Sequence, residues 1–119
     1  MKKIICILIC IVCVSCFTNE TSSLETFNTA MKEAELAEKR GDFVSAEKSY
    51  ESALILAERS NWPSGVVTAK QNLAAMSVLK KDYVRAETLL KEAKGQCRAD
   101  HACAGLDTLY DDLIFLYLF

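Results

Sequence analysis

The strongest constraint on this chain is its likeness to itself at an offset of forty residues. Ala34 falls on Ala74, Asp42 on Asp82, Phe43 on Tyr83, Val44 on Val84, Ala46-Glu47 on Ala86-Glu87, Tyr50 on Leu90 and Ala53 on Ala93. An internal repeat of this length marks a supersecondary unit used more than once. The segments between are rich in alanine, leucine, glutamate and lysine, with Pro63 the one proline, so the unit is helical. Ala34, Ala46 and Ala53 let two antiparallel helices approach closely, and Phe43 and Tyr50 are expected to fill the spaces between them. One such hairpin cannot bury its apolar face, so neighbouring hairpins must stack. The expected fold is all-α, a stack of antiparallel helix hairpins.

Local signals place the helices. Ser22-Ser23-Leu24-Glu25 has capping-box spacing and opens a first helix, which runs to about Arg40 before Gly41-Asp42. A second helix is expected from about Val44 to Arg59, ended by Ser60-Asn61. Pro63 suits the first turn of a third, reaching about Lys80. A fourth is expected from about Tyr83 to Lys94, with Gly95 in the left-handed position after its end. Asp100 is a good N-cap for a fifth that continues to the C-terminus.

These residues resemble the tetratricopeptide repeat family of helix-turn-helix units. Gly41-Asp42-Phe43 with Ala46, Tyr50 and Ala53 is the clearest unit, and Ala74, Tyr83, Ala86 and Ala93 make a second in which Lys81 stands in place of the glycine. Tyr110, Leu113 and Tyr117 continue the pattern, with Ile114 where the family has a small residue. The resemblance covers Leu24 to Phe119 as about two and a half repeats. Ala30 and Lys70 replace a usual large residue, no proline closes either unit, and the period exceeds the family's 34 residues because the helices are longer. The resemblance implies a concave groove lined by Asn28, Met31, Glu35, Glu38 and Lys39 from one unit and Thr68, Gln71, Ala75, Val78 and Leu79 from the next. Asn28, Thr68 and Gln71 can hydrogen-bond an extended peptide there, and ordinary solvation of these polar residues is the alternative.

The N-terminus speaks to location. Lys2-Lys3, an apolar run from Ile4 to Val14 and the small residue Ser15 form a secretory signal, too short for a permanent membrane span. Val14-Ser15-Cys16 resembles the lipobox of bacterial lipoproteins, although Cys13 stands where that motif usually has leucine. The resemblance implies that residues 1–15 are removed, that Cys16 carries lipid, and that residues 16–23 tether the domain 24–119 to a membrane of the cell envelope. An ordinary signal peptide releasing a soluble secreted or periplasmic protein is the alternative.

Loss of Lys2 and Lys3 takes the formal charge from −2 to about −4, with both signs interspersed. Nucleic acid binding requires a basic face, which this pattern lacks. The one histidine, His101, has no plausible nucleophile beside it, the acidic pairs read as solvated helix faces, and no phosphate loop is present, so no catalysis, cofactor, metal or small-molecule substrate is expected. Export favours a disulfide between Cys97 and Cys103. Two separate thiols, or a metal site with His101 that lacks a fourth ligand, are the alternatives. Leu113 to Phe119 is apolar on every side of a helix. A partner or second copy covers it, it tucks over the preceding hairpin, or a following helix is missing. On the family's pattern Phe115 and Leu118 face the groove. The functional expectation is a small membrane-tethered scaffold for protein partners or self-association, and the alternative is a soluble exported helical accessory or inhibitor protein without a lipid anchor.

Overall fold

The computed structural model describes residues 22–97, and these form four helices and no strand. Helix α1 spans 22–39, α2 Phe43–Arg59, α3 Pro63–Leu79 and α4 Tyr83–Cys97. Consecutive helices run antiparallel and pack on one another, so the architecture is the expected all-α hairpin stack. None of these helices is long and apolar enough to cross a membrane.

One turn design is used three times, at twenty-residue spacing. Gly41, Asn61 and Lys81 all have positive φ, at 76°, 49° and 62°. The amide of each donates to a carbonyl three residues back (Glu38, Glu58, Val78), and the next amide donates five back (Ala37, Ala57, Ser77). These paired bonds are the Schellman closure of a helix C-terminus. The residue after the left-handed one then serves as N-cap of the following helix. Asp42 Oδ1 accepts from the Ser45 amide at 3.1 Å, and Asp82 Oδ1 from the Arg85 amide at 3.2 Å. Trp62 makes no side-chain cap, and Pro63 at the first helical position needs none for its own nitrogen.

The core is alanine-rich where helices cross. Phe27, Ala53, Ala57, Val66 and Ala69 form a cluster at the end of the stack that holds the α2–α3 turn. Ala34, Ala37, Ala46, Tyr50, Leu73 and Met76 form the middle, and Val67, Ala74, Ala86, Leu90 and Ala93 join α3 to α4. Because α3 contributes to all three clusters, it is the most enclosed helix.

Three local expectations are corrected. Gly95 does not end α4, which runs on to Cys97, because Leu90, Ala93 and Cys97 continue one stripe against α3 and outweigh the roughly 1 kcal/mol helix cost of glycine. Phe43 does not fill the space between helices. It is 37% exposed at the start of α2, and Tyr50 is the aromatic buried between the helices. Ser22 and Ser23 are already helical, inside the stretch read as tether. The signal segment, Cys16, Cys103 and the fifth helix lie outside the described residues.

Candidate functional site

Helix α3 leaves only one stripe uncovered. Val66, Ala69, Leu73 and Met76 face α1 and α2, while Val67, Lys70, Ala74 and Ser77 are buried on the α4 side. What remains is Thr68, Gln71, Asn72, Ala75, Val78 and Leu79, exposed or half-buried. This stripe contains Thr68 and Gln71 together with the three apolar groove positions expected further along. Thr68 spends its hydroxyl hydrogen on its own helix, donating to the Ser64 carbonyl at 2.9 Å, so its oxygen is left as an acceptor. Helix α1 is covered on one side only. Phe27, Ala34 and Ala37 are buried, Asn28 and Glu35 are exposed, and Met31 is half-buried against two of the core clusters. Thr26, Thr29, Lys32, Glu33 and Leu36 are exposed as well. Since α1 and α3 share those clusters, their open surfaces lie on neighbouring helices. Phe115 and Leu118 lie outside the described residues.

Ionic and polar bonds brace the frame. The Tyr50 hydroxyl donates to Glu38 Oε2 at 3.0 Å, and burial together with that carboxylate holds its pKa well above the ordinary tyrosine range. Glu38, expected as a groove residue, is therefore engaged by α2. Glu47, buried on α2, accepts from both Lys80 in the α3–α4 turn and Arg85 of α4, and Arg85 also reaches Glu51 at 2.9 Å. The bond from Lys80, helped by Arg85, holds the Glu47 carboxyl below its ordinary value despite burial. Lys70, which departs from the usual large residue at its position, is buried against α4 and pairs with Glu92 at 2.7 Å. Tyr50 and Glu38 stand twelve residues apart and the ionic partners more than twenty, so no local pattern announced them.

A second concavity went unanticipated. An open cavity of ≈ 620 Å³ lies where α1 begins and α2 ends, lined chiefly by Leu24, Phe27, Leu56, Arg59 and Trp62. The Trp62 ring meets Phe27 edge-on, with centroids 4.9 Å apart at 69°. Gly65 makes room for it, since a methyl group at that Cα would overlap the indole. The signal in the sequence was Trp62 three residues ahead of a glycine on the same helix face.

Among the described residues no group of three or more histidine, cysteine or acidic side chains could hold a metal ion. His101 and Cys103 of the alternative metal reading lie outside them, as does the second partner of the expected disulfide. Comparison with family models, with curated proteins and with solved structures finds no match to this chain.

Proposed function

We propose that this chain is an exported lipoprotein, anchored through Cys16, whose tetratricopeptide-like hairpins present a groove to an extended segment of a protein partner. The observation that carries the binding reading is the uncovered stripe of α3. On a helix enclosed along both flanks, Thr68 is exposed and Gln71, Ala75 and Val78 stay half-buried, polar at one end and apolar at the other. Such a surface offers hydrogen bonds to a peptide backbone and shallow apolar contact to its side chains. The anchor reading rests on the apolar run and Val14-Ser15-Cys16. Two or more acyl chains hold a domain durably at a bilayer, each buried methylene adding about 0.8 kcal/mol. A Cys97–Cys103 disulfide fits an exported protein and would stabilise it by roughly 2 to 3 kcal/mol.

Three measurements test this. Labelled palmitate should enter the wild type and not Cys16→Ala; equal labelling removes the anchor. A photo-crosslinking residue at Glu35 or Gln71 should trap a discrete partner from membranes, while the same residue at Lys48, on the outer side of α2, should not. Identical adducts from all three positions would reject the groove. Intact mass after alkylation without reductant reads the disulfide, and two modified cysteines would exclude it.

A further inference from the structure

We propose that the α2–α3 end of the stack docks on the bilayer surface, seating Trp62, Leu24 and Leu56 at the headgroup boundary with Arg59 toward lipid phosphate. This deepens the anchored reading and rests on lipidation of Cys16.

Geometry comes first. The chain enters α1 at the rim of the open cavity, because Ser23 and Leu24 line it. Five residues separate Cys16 from Ser22, and the six steps between them, at about 3.5 Å each, span at most about 20 Å. A lipid on Cys16 therefore holds this end of the stack, and not the end carrying Gly41 and Lys81, next to the bilayer.

The far end exposes Leu36, Phe43, Val44, Leu79 and Val84 beside Lys39, Arg40, Lys80 and Lys81, so the reach of the tether, and not a greater apolar surface, selects the near end. The turns themselves also differ. Both turns at the far end are capped by an aspartate, Asp42 and Asp82. The turn at the near end has Trp62 in that place and no carboxylate from Ser60 to Ser64. Leu24 is 46% exposed, and Trp62 and Leu56 are half-buried. Tryptophan's amphipathic ring favours the headgroup level, and an arginine keeps its charge in the polar layer while its stem lies along apolar surface. Exposed Glu25 and Glu58 offset the positive charge of Arg59, so attraction to anionic lipid is weak and the apolar rim makes the contact. Docking thus needs the anchor; the unlipidated domain should stay in solution.

Trp62 is the one tryptophan of the chain, which makes it a direct reporter. The full lipidated protein would be reconstituted into phosphatidylethanolamine–phosphatidylglycerol vesicles, with the Cys16→Ser form in solution as reference. The expected result is a blue shift of the wild-type emission, loss of intensity when the lipids carry bromine near the headgroup, and reduced access to acrylamide. The double variant Leu24→Ser, Leu56→Ser should float with vesicles, keep its helical circular dichroism and lose most of the quenching. A wild type that floats yet shows the same emission and acrylamide access as the soluble form overturns the proposal while leaving the anchor intact. Blue-shifted emission in both forms without quenching by bromine also overturns it, and would mean that the tether or a small molecule fills the cavity. Absence of both flotation and palmitate label overturns docking and anchor together.

Discussion

Single residues in the turns carry unequal strain, although the three turns share one geometry. Lys81 occupies the left-handed region that Gly41 adopts without penalty. Lys81→Gly is therefore expected to stabilise the domain by about 0.5 to 1 kcal/mol, and Gly41→Ala to destabilise it by about 1 kcal/mol, both read from urea unfolding. Gly65 faces opposing effects. Alanine there gains about 1 kcal/mol of helix propensity but overlaps the Trp62 ring, and overpacking costs about 1 to 3 kcal/mol. Net destabilisation is expected, with a red shift of the Trp62 emission as the indole is pushed from Phe27; an unshifted spectrum would mean that the ring does not rest on Gly65. Gly41 and Pro63 were legible as turn markers because their backbone preferences are intrinsic. Lys81 was not, because its conformation is imposed by the helices on either side.

Between elements, the ionic contacts differ in weight according to exposure. Lys91–Glu87 lies within one helix, both side chains largely in water, and is worth about 0.3 to 0.5 kcal/mol. Glu47 is 8% exposed and joins α2 to both the α3–α4 turn and α4. Its partners keep about 40% of their side-chain surface, which screens the attraction, so Glu47→Gln is expected to cost about 1 to 2 kcal/mol at pH 7. Its carboxyl titrates below the ordinary 4.5 when folded. The unfolded chain thus takes up the proton first, and the stabilisation is complete above pH 4.5 and is lost as the pH falls through the lower folded value. Thermal unfolding between pH 3 and 6 should show a slope that is shallower in Glu47→Gln. A slope unchanged by the substitution would place the acid sensitivity elsewhere. Arg85→Ala should cost less than Glu47→Ala, since Lys80 still satisfies the buried carboxylate.

At the scale of the whole molecule, α3 is shared by every core cluster, whereas the buried residues of α4 belong to one and only half-buried Leu89 reaches a second. Leu73→Ala should remove about 2 to 5 kcal/mol and loosen α1, α2 and α3 together, since Leu73 lies in the middle cluster. Leu90→Ala should cost a similar amount but speed amide exchange in α4 well before α1 and α2, as expected when stability is summed between neighbours. Uniform acceleration in both variants would show a single cooperative block instead. The helical class, the antiparallel stacking and the four helices were legible because period, alanine spacing and turn residues act within a few positions of one another. The positions of the α3 stripe were named from the family resemblance and not from any pattern within the chain. Gly95 misled because a local terminator lost to packing at Leu90, Ala93 and Cys97. The Glu47 network and the Trp62–Phe27 cavity join residues some 33 to 38 positions apart, and they exist only because antiparallel helices return the chain to the same end of the stack. Short-range sequence determined which helices form and which faces they bury; the tertiary arrangement decided which charges are paired and where the surface opens, because those depend on distances that only stacking sets.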